Sequence, residues 1–518
     1  MLTMTRDGWA LTYCAGQRLL RNVGRSLWIT ATALALVGLS TGAQAQTSYY
    51  GLYMEGSKIG SVELKVEPFH QGDDIRYRLS TESAIAIEMM GTKVEQRTTV
   101  VSLCDSTMSP LTQEYSIVSG QSALKLNVKY RSSFADVVIT SGETKSTKRL
   151  TVPRGARIAA DSSLLNLGER PKVGSRATVY YLNPLTISID KAVVTVEALE
   201  TLLYAGKETR AYRSLSRTPM GDVRAWETEG GELLWADMPF GMSMYRLDRE
   251  AAADPKTPLP AIVRSNQPAH PKAEYSPPAD FAISTAAKVD RPIPNARRLR
   301  RAVIEIGGLP ASYRAISDVR QRVTLAPGSP QARVFEVTSR SGSKDVRLPV
   351  RDRSLRQYLG TAPLVDPDSS DVRGVARSLT DRTSARRTAS RIRAWVFKNM
   401  TPDYSIGVPR SSSDVLRRKR GVCRDYAVLF AALARAAGIP TRLCGGIVYA
   451  DTSTGGKAGM FFYHAWVECW LGEWVAFDAT VPSDFVDATH IKLSQGNPDD
   501  MMGVTNLIGR IRVRVREP

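Results

Sequence analysis

The run Ala427-Val428-Leu429-Phe430-Ala431-Ala432-Leu433-Ala434-Arg435-Ala436-Ala437 constrains this chain most. It consists of strong helix formers, is apolar almost all round, and is stopped by Gly438 with Pro440 just beyond. A helix without a polar face must be buried, so the chain has to build packed layers around it. Directly before it stand Gly421-Val422-Cys423-Arg424-Asp425-Tyr426. Cys423 therefore falls at a helix N-terminus, where unpaired N–H groups and the positive dipole end favour the reactive thiolate. A small, inert core cysteine would suit the same position, so the rest of the chain has to decide.

Two later stretches bear on it. Phe462-Tyr463-His464-Ala465-Trp466-Val467-Glu468 and Trp474-Val475-Ala476-Phe477-Asp478-Ala479-Thr480 have the aromatic and β-branched content of strands. A three-residue hairpin loop with Gly472 in the left-handed position pairs Cys469 with Glu473. Counting back from there sets His464 opposite Asp478 on one face, about 5 Å apart; a bulge would shift that register. The carboxylate then reaches one imidazole nitrogen while the other faces a thiol docked against the sheet. Nucleophile, base and orienting acid are the groups that covalent acyl transfer requires.

These stretches resemble the core of the transglutaminase-like superfamily. The matching pieces are Val415-Leu416, Gly421-Val422-Cys423, the run from Arg435 through Gly438-Ile439-Pro440 to Arg442, His464-Ala465-Trp466-Val467-Glu468 and Asp478-Ala479-Thr480. A lead-in from Trp395 to Tyr404 also matches. The resemblance implies a helix-borne Cys423 as nucleophile, His464 as base and Asp478 as orienting residue, with the chemistry of protein crosslinking or of peptide and amide hydrolysis. Ala479 departs from the family, which usually has proline there.

The remaining histidines do not form such a constellation. His70 and His270 lie in loop-like sequence and His490 stands near the end. With no CxxC and no His/Cys cluster, no metal or other cofactor is expected.

The N-terminus has the pattern of a secretory signal: Arg18, Arg21 and Arg25, an apolar core from Leu27 to Ser40, and the small-residue pattern Ala43-Gln44-Ala45. An uncleaved anchor is the competing reading of this stretch. Export to a periplasm or the cell exterior is the expectation, without a stable membrane span in the mature chain. Loss of residues 1–45 would leave Cys104, Cys423, Cys444 and Cys469, too few for a disulfide framework in a chain this long. Cys444 and Cys469 fall on neighbouring strands, either as a pair or as two buried thiols. The net charge of +19 comes from 70 basic against 51 acidic residues that are scattered along the chain. That argues against nucleic acid and leaves a solvated surface or an attraction to an anionic envelope polymer. Arg417-Arg418-Lys419-Arg420, just before Gly421, is either a solvated turn or a set of charges that favours the thiolate.

Along the chain the expected fold class is α+β, a transglutaminase- or papain-like core preceded by a large all-β antiparallel domain. The signal occupies 1–45. Residues 46–250 alternate apolar and polar in short runs, as in Ile59 to Val66 and Leu124 to Tyr130, and suit a curved sheet or open barrel. Residues 251–298 carry nine prolines and read as a semi-rigid linker or a surface strap. A small β-region follows at 299–360, with strands expected at Arg301 to Ile306, Gln321 to Leu325, Arg333 to Thr338 and Asp345 to Val350. The core spans 361–518, with helices at Asp371 to Leu379 and Ser384 to Met400 and a closing strand from Ile508 to Val515. Trp466 and Trp474 are candidate walls of the cleft, and the glycines of loop 451–459 a candidate rim. The reading that best joins these features is an exported cysteine-dependent acyl-transfer enzyme acting on protein or peptide amides. The competing reading is a non-catalytic envelope protein that binds through its β-domain.

Overall fold

The structure, a computed structural model, describes residues 45–160, 171–264, 280–311, 313–340, 342–450 and 459–517. Nearly all of the signal-like segment, His270 and loop residues 451–458 lie outside the described residues. The chain divides into two compact units, one mostly Trp28–Thr140 and Thr147–Phe281, the other mostly Ala282–Pro518. Among the described residues no helix is long and apolar enough to cross a membrane.

The first unit is one antiparallel sheet. Its strands are β1 (Gln46–Met54), β2 (Ser57–Gln71), β3 (Asp74–Met89), β4 (Thr92–Cys104), β5 (Pro110–Ser119), β6 (Ser122–Tyr130), β7 (Phe134–Ser141) and β8 (Thr144–Thr151). They continue with β9 (Arg176–Asn183), β10 (Ser188–Tyr204), β11 (Lys207–Thr218), β12 (Gly221–Thr228), β13 (Leu233–Met238), β14 (Met242–Leu247) and β15 (Ile262–Arg264). The order is β15-β10-β11-β12-β13-β14-β1-β2-β3-β4-β5-β6-β7-β8, with β9 also on β10. Alternate residues are buried along the strands, as at Ala123 to Lys129 of β6, so the period-2 pattern of the sequence is the pattern of the core. His70, expected in a loop, pairs with Ile75 near the end of β2.

The start of the proline-rich segment is bonded to the first sheet. Its beginning forms α1 (Arg249–Ala253), whose end is held by Lys58: Nζ donates to the carbonyls of Ala251 (2.6 Å), Ala252 (2.9 Å) and Asp254 (2.6 Å). Tyr53 donates its hydroxyl to the carbonyls of Thr257 and Pro258, both at 3.1 Å. Buried donors of the sheet thus take five carbonyls of this stretch, one of them that of a proline, Pro258. A short helix α2 (Phe281–Thr285) follows, then β16 (Ala287–Lys288), which belongs to the second unit and pairs with the strand that carries His464.

The second unit holds β17 (Arg301–Gly307), β18 (Gln321–Ala326), β19 (Ser329–Thr338), α3 (Ser370–Leu379), α4 (Ala385–Asn399), β20 (Thr401–Pro402), α5 (Ser412–Arg418) and β21 (Arg420–Gly421). After them come α6 (Cys423–Ala436), β22 (Thr441–Ala450), β23 (Met460–Trp470), β24 (Trp474–Phe477), β25 (Ile491–Gly496), α7 (Pro498–Met502) and β26 (Arg512–Glu517). One sheet has the order β16-β23-β22-β25, with β24 also on β23. A second has the order β18-β19-β17-β26, so the small β-region takes its fourth strand from the far end of the chain. Residues 345–350 are irregular rather than a strand. Asp345 instead accepts the Arg386 N–H at 2.9 Å and so caps the start of α4. Arg393 of α4 is buried and bonds Asp484 Oδ1 at 2.7 Å.

Candidate active site

Helix α6 is buried along almost its whole length, as a helix without a polar face must be. Cys423 is its first residue, following Val422 in extended conformation. The Asp425 carboxylate reaches back to the Val422 N–H at 3.0 Å and so closes the first turn. Asp425 is itself held by two buried guanidinium groups, Arg410 at 3.3 Å and Arg424 at 3.1 Å. Gly421 is required by this packing. A Cβ there would lie 2.6 Å from Asp425 Cβ and Oδ2 and 2.8 Å from Arg410 Nη2.

His464 lies on β23, against the same helix. Asp478 follows the end of β24. His464 Nε2 and Asp478 Oδ2 are 2.8 Å apart. The expected register is off by two: the loop is Leu471-Gly472-Glu473 and pairs Trp470 with Trp474. Asp478 therefore lies beyond the ladder and reaches His464 from a diagonal position on the same face. Gly472 has φ +92°, the left-handed turn that the sequence called for.

The Asp478 carboxylate is fixed at both oxygens. Oδ1 accepts from the Thr480 N–H (2.8 Å) and hydroxyl (2.7 Å), while Oδ2 faces His464 and, at 3.2 Å, His490 Nε2. The substitution of alanine for proline at 479 leaves this turn intact. Burial acts to raise the Asp478 pKa, but the His464 charge and the bonds from His464 and His490 hold it well below the carboxylate range. Burial likewise pushes His464 down, yet the Asp478 carboxylate, with a smaller contribution from Cys423, keeps it up at about 10. The imidazole thus lies beside a carboxylate and lines the same cavity as the Cys423 thiol.

A cavity of about 50 Å³ opens beside the sulfur, lined among others by Cys423, His464, Tyr463, Met501, Met502 and Ile508. The segment that carries the methionines is tied down by Ser494 Oγ, which donates to the Met501 carbonyl at 2.8 Å, and by the Tyr463 hydroxyl on the Leu507 carbonyl. Trp466 stacks beside His464, with ring centroids 6.2 Å apart. Trp474 is not at the site: it packs against Trp470 and Tyr358 at the hairpin end. The basic run before Gly421 also points elsewhere. Arg418 bonds Asp414 at 3.0 Å, Arg420 bonds Asp403 at 3.1 Å, and Lys419 lies over the Trp395 ring.

Two residues that the sequence reading passed over stand here, His490 and Asp487. The signal was a repeated tripeptide: Asp478-Ala479-Thr480 recurs as Asp487-Ala488-Thr489, with His490 next. Both form the same turn, Asp487 Oδ1 accepting from the Thr489 N–H (2.9 Å) and hydroxyl (2.5 Å). His464, Asp478 and His490 bring three metal-ligand atoms within 4.8 Å of one another. The distances of 2.8 and 3.2 Å are those of hydrogen bonds to one carboxylate oxygen.

The family model of the transglutaminase-like superfamily matches residues 373–479, the stretch from α3 to Asp478 and Ala479. This part of the chain is a transglutaminase-like core. An uncharacterized protein of Mycobacterium leprae (strain TN) is 29% identical over 147 residues, which are 28% of this chain and 51% of that protein. The chain thus spans about half the length of that relative. Among solved structures, one from Cytophaga hutchinsonii described as a "Putative Cysteine Protease" covers 42% of this chain and 81% of its own, at 16% identity and TM-score 0.27. A beta-barrel-like protein of a domain of unknown function from Brucella abortus covers 41% of this chain and 96% of its own, at 11% identity and TM-score 0.31.

Proposed function

We propose that this chain is an exported cysteine-dependent acyl-transfer enzyme acting on peptide or protein amides, with Cys423 as nucleophile, His464 as base and Asp478 as orienting acid. The observation that carries the reading is the His464 ring, bonded through Nε2 to Asp478 at 2.8 Å and lining the same cavity as Cys423 at the start of α6. His464 takes the thiol proton, and the thiolate adds to the amide carbonyl. The Cys423 backbone N–H, at the positive end of α6, supports the oxyanion. As the C–N bond breaks, His464 returns its proton to the departing amine and a thioester remains. Water then gives one proton to His464 and its hydroxyl to the carbonyl; the C–S bond breaks, His464 returns the proton to the sulfur, and a carboxylic acid and the free thiol result. A primary amine in the same place would give a new amide. The small cavity beside the sulfur is lined mainly by apolar side chains, and hydrolysis of a peptide or amide is the outcome we favour.

The test is to incubate a defined peptide mixture with wild type and with Cys423→Ser, with and without added primary amine, and to analyse it by mass spectrometry. Cleavage, deamidation or amine adducts confined to wild type support the reading. Identical spectra for the two proteins overturn it. Export is tested separately, by whether the protein from the native cell begins near Gln46.

A further inference from the structure

His490 is buried between two carboxylates. Its Nε2 is 3.2 Å from Asp478 Oδ2, and its Nδ1 is 3.3 Å from Asp487 Oδ1. Asp487 is anchored in turn: its Oδ2 takes Arg297 Nη1 at 2.8 Å, and its backbone carbonyl takes Arg320 Nη2 at 2.8 Å. Aromatic rings close the remaining sides, Trp466 edge-on at 5.5 Å and the His464 ring at 5.7 Å. A buried imidazole could have been placed here by packing alone. What argues otherwise is the atom it reaches, the same carboxylate oxygen that holds His464. It reaches that atom from a second Asp-Ala-Thr turn, itself held by an arginine.

We infer that His490 is a positioning residue for the triad, holding Asp478 Oδ2 on His464 and passing the anchorage of Asp487 and Arg297 to the reacting thiol. This rests on the roles proposed above for Cys423, His464 and Asp478. The N–H that His490 aims at Oδ2 fixes the direction of that oxygen and draws negative charge from it. Without the donor the carboxylate can turn about its Cα–Cβ bond, and His464 loses the fixed ring orientation that a near-attack geometry needs. The charged and titratable groups that face His490 are Asp478, Asp487 and His464, with Arg297 and Arg320 behind Asp487. Its effect is therefore read through the pH profile of the thiol.

The experiment measures the rate of iodoacetamide labelling of Cys423 from pH 5 to 9 by peptide mapping, on the full chain. The variants are His464→Ala, His490→Leu, His490→Gln and Asp487→Asn. Cys444 and Cys469 serve as internal reporters of folding, because both are buried thiols. Expected are an activated wild-type profile, a drop of about tenfold at pH 6 in His490→Leu with its acidic limb at higher pH, and recovery to within about threefold in His490→Gln, which keeps an N–H donor. A His490→Leu profile that superimposes on wild type overturns the inference. So does a glutamine variant as slow as the leucine variant. If His490→Leu exposes Cys444, Asp487→Asn decides: a slowed, shifted profile supports the inference and an unchanged one overturns it. A wild-type profile of an ordinary thiol, indifferent to His464→Ala, would instead sink the enzyme reading itself.

Discussion

Thr480 binds one oxygen of Asp478 twice, through its backbone N–H at 2.8 Å and its hydroxyl at 2.7 Å. That leaves the other oxygen to the imidazole. Thr480→Val removes the hydroxyl bond and keeps the shape. A hydrogen bond to a charged group is worth about 1.5–3 kcal/mol, so turnover of a peptide substrate should fall about tenfold, chiefly in kcat. Thr480→Ser should restore it, and a serine variant as slow as valine would mean that the methyl group, not the hydroxyl, matters.

Gly421→Ala should be costly although the residue is not in a left-handed turn. The added Cβ meets Asp425 at 2.6 Å, and Asp425 closes the turn that presents Cys423. Overpacking of this kind costs about 1–3 kcal/mol. Thermal melting should report a lower Tm, and labelling of Cys423 near pH 6 should slow in the molecules that remain folded.

Acid stability should depend on Glu468. It is buried against Lys492 Nζ (2.7 Å) and Arg442 Nη2 (2.6 Å). Burial acts to raise its pKa, but those two cations bring it from 4.5 down to about 2. A depressed carboxylate stabilises the fold fully above its unfolded value of 4.5, and that stability is lost as pH falls towards 2. The contribution is on the order of 3 kcal/mol. In denaturant titrations Glu468→Gln should be the less stable protein at pH 7, with the gap closing below pH 4. His464 works in the opposite sense. Raised from 6.5 to about 10, it stabilises the fold below pH 6.5, and that contribution fades as pH rises through 10.

Alkylation should separate Cys423 from Cys444 and Cys469. Burial pushes Cys469 up to about 12 and Cys444 well above the usual thiol range. Neither should label in the native protein at pH 8, whereas both should label after denaturation. Native labelling of Cys444 at the rate of Cys423 would contradict the packing of β22 on α6.

The cavity beside the sulfur measures about 50 Å³ and touches Met501. Met501→Ala enlarges it. In competition between peptides that differ only in the residue donating the acyl group, the variant should shift about tenfold towards the bulkier one, since a few methylene groups are worth roughly 1–3 kcal/mol in an apolar pocket. An unchanged preference would place the acyl side chain elsewhere.

Much of the candidate site was legible because its chemistry is written locally. The thiol precedes an apolar run with a defined stop, and the strands at His464 and Asp478 are rich in aromatic and β-branched residues. Parity put both residues on one face, but loop length alone could not fix which pair closes the hairpin, so the register slipped by two. His490 was out of reach of pattern reasoning for a different reason. It meets Asp478 through tertiary packing, and only the repeated Asp-Ala-Thr hinted that 478–490 holds two copies of one turn. At the start of the segment 251–298 composition left a linker and a surface strap open, because proline content does not say which buried donors wait nearby; the carbonyls of Ala251, Ala252 and Asp254 meet Lys58, and those of Thr257 and Pro258 meet Tyr53.

The pairing of β26 with β17 also orders events in the cell. Ile304 meets Val515 and Ile306 meets Val513, so a strand from past the middle of the chain waits for one translated some two hundred positions later. Until then its edge is open, and the nascent chain presents an unmatched ladder to chaperones or to neighbouring polypeptides. A ribosome that stops short would release the thiol, the imidazole and the acid together, on a scaffold lacking the strand that closes its second sheet.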